Sequence, residues 1–120
     1  MQVATTRERY LRDGLPIRLG GLAANLARIV SFAGQPHETG KYPSTVEHLL
    51  EESEWFIEWN GPDAPLETQT ELVELQIQLA VWRRTWTQRR MDEAQRREMI
   101  ARARVWSDRV LELSGLLAKK

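Results

Sequence analysis

Residues 66–117 read LETQTELVELQIQLAVWRRTWTQRRMDEAQRREMIARARVWSDRVLELSGLL, and this stretch decides the fold. Apolar side chains recur in it at steps of three and four residues, which is the spacing of one face of an α-helix. The two series are Leu72, Leu75, Leu79, Trp82 and Trp86, and then Met99, Ala103, Trp106, Val110, Leu113 and Leu117. The polar break between them, Gln88–Asp92, is too short for anything but a tight reversal. We therefore predict two amphipathic helices that face each other as an antiparallel hairpin.

The whole chain is predicted to form four helices, at about residues 16–33, 45–59, 65–88 and 92–117. Pro16 suits a first helical position, Ser44 and Glu47 have the spacing of a capping box, and Asp92 is a good N-cap. A chain of 120 residues has room for one core and little more. The sequence therefore predicts a single all-α domain, residues 1–120, with the up-down-up-down topology of a four-helix bundle built on the C-terminal hairpin.

Two local features lie near the amino terminus. Thr5 and Glu8 have capping-box spacing and predict a short helical turn that ends before Gly14. Gly20 and Gly21 fall inside the first predicted helix, where glycine costs about 1 kcal/mol relative to alanine. The glycine pair therefore predicts either a kink or the close approach of another helix.

Composition excludes several classes of function. The chain contains no cysteine, which rules out disulfides, thiolate catalysis and cysteine-ligated zinc, and favours a reducing compartment. It contains neither the G-x-S-x-G turn of serine hydrolases nor a phosphate-binding glycine loop. No signal-peptide pattern begins the chain, and no apolar run approaches the ~20 residues that span a bilayer. We expect a cytoplasmic protein that does not enter membranes.

Charge is segregated along the chain although the formal net charge is zero. Residues 1–41 carry six basic and three acidic side chains, residues 42–82 carry nine acidic and none basic, and residues 83–120 carry eleven basic and five acidic. Blocks of opposite sign can attract each other between two copies of a chain.

The third predicted helix has more apolar positions than one core stripe uses. Val73, Ile77 and Val81 lie on a different side of it, and exposed apolar patches usually mark association surfaces. On the second predicted helix Trp55 and Trp59 share a stripe, either as residues at the edge of the core or as exposed anchors for a partner. We therefore predict a non-catalytic protein-interaction or self-association module, with a homodimer favoured over an unknown protein partner.

An enzymatic alternative comes from paired carboxylates. Glu51 and Glu54 on the second predicted helix, and Glu71 and Glu74 on the third, form two E-x-x-E pairs on neighbouring helices. Carboxylates are the ligands that Mg²⁺ prefers. Residues 47–78 thereby resemble the all-α NTP pyrophosphohydrolases, whose four acidic residues hold Mg²⁺ against a nucleotide triphosphate. The resemblance implies Mg²⁺ as a cofactor and these glutamates as its ligands.

Two further alternatives concern nucleic acid and small molecules. Arginines cluster near the predicted hairpin turn, at Arg83, Arg84, Arg89, Arg90, Arg96 and Arg97. Arginine binds phosphate well, but the neutral chain and the absence of a known motif make nucleic acid an unfavoured partner. The small residues around Gly20, together with Trp106, leave open a small-molecule site between helices.

Overall fold

The computed structural model describes residues 3–35 and 43–117, which form five α-helices and no β-strand. The predicted all-α class is confirmed. The helices are, in chain order, α1 (Val3–Leu11), α2 (Leu15–Ala33), α3 (Pro43–Asn60), α4 (Leu66–Arg89) and α5 (Glu93–Ser114). A short 3₁₀ turn, Gly61–Asp63, leads from α3 to α4.

The ends of the helices follow local chemistry. The side chain of Asp92 accepts a hydrogen bond of 3.1 Å from the backbone N–H of Gln95, so the predicted N-cap of α5 is confirmed. At the other end Gly115 adopts a left-handed φ of 78°, which stops α5 at Ser114, three residues before the predicted end. α3 begins at Pro43, so Ser44 lies inside the helix and is not its N-cap.

The amino terminus corrects the prediction of four helices. The predicted short turn is a nine-residue helix, α1, which begins before Thr5. Its packing against the rest of the chain comes from Tyr10, whose ring stacks on Phe56 of α3 with centroids 4.2 Å apart and planes 8° from parallel. Sequence periodicity could not reveal this helix, because it is held partly by the stacking of Tyr10 on Phe56, two residues that are far apart in the chain.

α2 is the central helix of the packing. It contacts α3 on one side and α5 on another, and its contact with α5 is the most extensive between any two described helices. Only two of its 19 residues are charged, Arg18 and Arg28, so more than one of its sides can be buried. Among the described residues, no helix combines the length and apolar character needed to cross a bilayer.

The C-terminal hairpin is not confirmed as the centre of the fold. α4 packs mainly on α3 and touches α5 at few places, whereas α5 lies mainly on α2. Ser107 of α5 donates a hydrogen bond of 2.9 Å to the carbonyl oxygen of Ala23 in α2. The reason is that α2 offers the broadest apolar surface available to α5, and a short turn alone does not fix which helices pair.

The buried residues include both predicted apolar stripes, with exceptions at the end of the second. The whole α4 stripe is buried, as are Met99, Ala103 and Val110 of α5. Trp106 is partly buried against the core, and Leu117 is exposed beyond the end of α5. The core thus lies between the inner faces of α2, α3, α4 and α5.

Replacing Trp82 by alanine is expected to lower the free energy of unfolding by roughly 3–5 kcal/mol. The side chain is only 1% exposed and is among the largest that are fully buried, so its removal leaves a cavity in the core. Urea unfolding followed by circular dichroism measures the change. Trp55→Ala is the control, because that indole keeps 37% of its surface exposed and its removal leaves a smaller cavity. A similar loss in both variants would contradict this account.

Candidate interaction surface

The outward side of α4 carries large apolar side chains in contact with solvent. Leu66 is 76% exposed, Val73 53% and Ile77 62%. Val81, which was predicted for the same surface, is only partly exposed and lies at its edge. We call the exposed row formed by Leu66, Val73 and Ile77 the outward row.

The outward row lies almost opposite the core stripe of the same helix. At about 100° per residue, Leu66, Val73, Ile77 and Arg84 fall within about 20° of one line along α4. The core stripe is centred roughly 160° away on the same wheel, and it consists of Leu72, Leu75, Leu79, Trp82 and Trp86. The inner side is therefore filled by the chain itself, and the outward row faces away from every described helix that packs on α4.

Several charges of α4 are paired with the helices beside it. Glu71 accepts hydrogen bonds of 2.7 and 2.6 Å from the guanidinium of Arg109 on α5, and this contact lowers the pKa of Glu71. On the other flank, Arg83 donates a hydrogen bond of 2.6 Å to Glu54 of α3. These pairs link α4 to its two neighbours. Their charges are neutralised within the chain and are therefore not offered to a partner.

Three charged side chains remain on the solvent side of α4. Glu67, Glu74 and Arg84 are all exposed, and none has an ion pair within the described residues. Glu67 and Glu74 lie in the amino-terminal half of the helix, and Arg84 lies in the carboxyl-terminal half. The outward row is therefore flanked by free negative charge at one end and free positive charge at the other.

A shallow groove borders the outward row on the side of α3. It has a volume of about 370 Å³ and is lined by the carboxylate of Glu58 as well as by apolar and amide side chains such as Ile57, Pro62 and Val73. A side chain from a partner helix could enter it beside Val73. The groove thus widens the apolar surface around the middle of α4.

The two tryptophans of α3 have different environments. Trp59 is only 7% exposed and belongs to the core, which corrects its interpretation as an exposed anchor. Trp55 is 37% exposed and stacks on Trp59 with centroids 5.8 Å apart. Trp59 also lies 5.6 Å from the ring of Tyr10. The docking of α1 on this face helps to bury Trp59, and only Trp55 of the pair stays accessible.

The predicted arginine patch is largely used within the chain. Arg97 lies 2.8 Å from Glu93, and Arg89 lies 3.8 Å from Glu98. Arg96 donates a hydrogen bond of 2.8 Å to a backbone carbonyl at the end of α4. Together with the ion pair of Arg83, these contacts engage much of the arginine patch within the chain.

The structure does not assemble the predicted magnesium site. Glu54 and Glu71 each bind an arginine, and the two arginines lie on different flanks of α4. Glu51 lies beside Glu54 on α3, and Glu74 lies beside Glu71 on α4, so each shares the position of its own E-x-x-E pair. Among the described residues, no three histidine, aspartate or glutamate side chains converge in a way that could hold a metal ion. The two E-x-x-E pairs therefore do not face each other, because α4 turns its core stripe and not its glutamates toward the bundle.

Leu116 fills the space beside the glycine pair of α2. A Cβ added at Gly20 would lie 2.6 Å from Cδ1 of Leu116, and one added at Gly21 would lie 3.9 Å from the ring of Tyr10. A close approach is therefore present at Gly20, but it is made by the turn that follows α5 and not by a helix. The space that Gly20 leaves is thus occupied by the chain itself. The small-molecule site suggested near Gly20 and Trp106 stays a prediction.

A polar cluster that the sequence did not predict joins α1, α2 and α3. The hydroxyl of Tyr10 donates to the carbonyl oxygen of Arg18 at 2.7 Å and accepts from Nδ2 of Asn60 at 2.7 Å. The buried guanidinium of Arg18 lies 2.8 Å from Asp63 in the 3₁₀ turn. The amide of Asn60, the last residue of α3, thus fixes where α1 lies on the end of that helix.

A second polar contact joins α2 and α3 inside the bundle. Nδ2 of the buried Asn25 donates to Glu52 at 3.0 Å and to Ser53 at 3.4 Å. Its Oδ1 accepts a hydrogen bond of 2.6 Å from Arg28. Both ends of the amide are satisfied, so this contact fixes the register of the two helices at little cost.

Comparison with known proteins gives no relative from which a function could be transferred. No protein-family model matches the chain, and no curated protein or solved structure gives a significant match. The candidate surface must therefore be judged on its geometry and charge.

Tyr10→Phe is expected to lower the free energy of unfolding by roughly 1–3 kcal/mol, because it leaves the buried amide of Asn60 without its hydrogen-bond acceptor. Burial also raises the pKa of the Tyr10 phenol above its usual value of about 10. The folded state thus favours the neutral phenol. The resulting contribution of Tyr10 to the free energy of unfolding is complete below about pH 10, and it is lost as the pH rises above that value.

Urea unfolding of the wild type and Tyr10→Phe between pH 7 and pH 11 tests both points. The wild type is expected to be the more stable protein at pH 7, and the difference should shrink toward pH 11. Two curves that stay parallel across this range would contradict the assignment of the alkaline loss to Tyr10.

Adding Mg²⁺ or Mn²⁺ at millimolar concentration is expected to leave the melting temperature unchanged, because the four glutamates do not converge on one site. A ligand that binds the native state must raise the melting temperature, so thermal unfolding with and without metal is a direct test. A rise that disappears in the double variant Glu51→Gln and Glu71→Gln would overturn this conclusion and restore the enzymatic alternative.

Proposed function

We propose that this protein is a non-catalytic helical interaction module that self-associates, as a homodimer, through the outward side of α4. The observation that carries the proposal is the exposure of Leu66, Val73 and Ile77 in one row opposite the core stripe of the same helix. On this proposal the helices α2–α5 keep the up-down-up-down topology of a bundle, and α4 serves two cores: one within the chain and one between chains.

Hydrophobic burial supports this use of the surface. Removing apolar surface from water gains roughly 25 cal/mol per Å², and a partner helix that lies along α4 can cover all three side chains of the outward row. Scattered apolar residues occur on every protein surface, but a row along one helix is typical of a helix that packs on another. A two-fold dimer lets each copy cover the row of the other with the same patch.

The cytoplasm is the proposed location. A chain of 120 residues without cysteine can form no disulfide that an oxidising compartment would favour, and its charged surface is compatible with an aqueous compartment.

Ile77→Lys is expected to convert the dimer to a monomer without unfolding it, because the substitution places a charge in the middle of the outward row. The matched control is Val105→Lys, which adds the same charge at an apolar side chain of α5 that is 67% exposed. Sedimentation velocity over a range of micromolar concentrations measures the association, and circular dichroism checks that each variant is folded.

The proposal predicts a dimer for the wild type and for Val105→Lys, and a monomer for Ile77→Lys. A wild-type protein that stays monomeric at all these concentrations would contradict it. Equal association of the wild type and both variants would show that some other surface is used.

A further inference from the structure

We infer that the second copy docks on α4 in the antiparallel orientation, about a two-fold axis near Ile77, with Arg84 of each copy placed against Glu67 and Glu74 of the other. This inference rests on the proposed function and specifies the partner of the same surface. It is carried by the distribution of charge along α4, which is separate from the exposure of the apolar row.

α4 has opposite charge in its two halves. The half from Leu66 to Ile77 carries three glutamates and no basic residue, and the half from Gln78 to Arg89 carries three arginines and no acidic residue. In a parallel pair each half would meet the like-charged half of the other copy. In an antiparallel pair each half meets its opposite, and the helix dipoles also oppose each other favourably.

The charges without a described partner are the ones that the outward surface presents. The ion pairs of Glu71 and Arg83 point to the flanking helices, while Glu67, Glu74 and Arg84 have no ion pair within the described residues. Arg84 lies on the same line along the helix as the outward row. A parallel dimer would stack Arg84 on Arg84, whereas an antiparallel dimer brings it to the acidic half.

The level of the two-fold axis follows from the same residues. With the axis near Ile77, Arg84 of one copy lies level with Thr70 of the other, and Glu67 and Glu74 lie within about one helical turn of that level. The aliphatic stem of Arg84 can then extend the apolar seam while its guanidinium reaches a carboxylate. An axis at Glu74 would instead place the two copies of Glu74 level with each other on the same side of the seam, so the axis falls on the carboxyl-terminal side of Glu74.

Single-cysteine variants test the orientation, since the natural chain has no cysteine to interfere. A disulfide requires Cα atoms within about 7 Å. The antiparallel arrangement predicts that Ile77→Cys forms a disulfide-linked dimer under mild oxidation. It predicts that Leu66→Cys does not, because the two copies of residue 66 would be about 33 Å apart along the seam. Each folded variant is oxidised at a concentration at which the wild type is dimeric, and non-reducing electrophoresis then measures the disulfide-linked fraction of each.

The outcomes separate the orientation from the proposed function. Cross-linking of Ile77→Cys alone supports both. Cross-linking of Leu66→Cys as well as Ile77→Cys overturns the antiparallel orientation and leaves the association surface in place. Failure of both variants to cross-link, with a monomeric wild type in sedimentation, overturns the proposed function itself.

A charge exchange gives an independent readout. Arg84→Glu is expected to weaken the dimer by roughly tenfold, because both copies then set glutamate against the acidic half. Adding Glu67→Arg and Glu74→Arg to the same chain should restore the original affinity. In a parallel dimer Arg84→Glu only exchanges one like-charged contact for another, so an unchanged dissociation constant, or a failure of the added arginines to rescue it, would overturn the inference.

Discussion

α4 has two apolar sides, and its packing beside α3 and α5 buries only one of them within the described residues. Its inner stripe, ending in Trp82 and Trp86, is fully buried against the other helices. Its outward row cannot be buried in the same way, since α3 and α5 flank the helix and leave that side to solvent. The proposed dimer follows from this constraint, because only a second surface can remove Val73 and Ile77 from water.

The contacts of the other described helices fix the orientation of α4. α2 occupies the middle because it carries few charges, and α3 and α5 pack on it. Glu54 and Arg109 then fix the two flanks of α4 through Arg83 and Glu71. Surface ion pairs of this kind add little to the free energy of unfolding. One pair on each flank nevertheless favours a single rotation of α4 about its own axis.

Sequence reasoning succeeded where the signal is local. The apolar stripes predicted which side of α4 is buried, and Asp92 predicted the start of α5, because periodicity and N-caps depend on residues a few positions apart. It left open the length of α1 and the burial of Trp59, and it did not predict the preference of α5 for α2. Each of these depends on contacts between distant residues, such as that between Tyr10 and Asn60, which no spacing in the sequence encodes. The predicted Mg²⁺ ligands failed for the same reason: the rotation of α4 decides which way its glutamates point.

The claim that the outward row lies between two copies can be measured without any substitution. A mixture of ¹³C-methyl-labelled and unlabelled protein allows only contacts between chains to be observed by isotope-filtered NMR. Ile77 and Ile17 provide an internal comparison, because both isoleucines are more than half exposed in the single chain. The account predicts intermolecular NOEs to the methyl groups of Ile77 and none to those of Ile17. Their absence at Ile77, or equal intensity at Ile17, would contradict it.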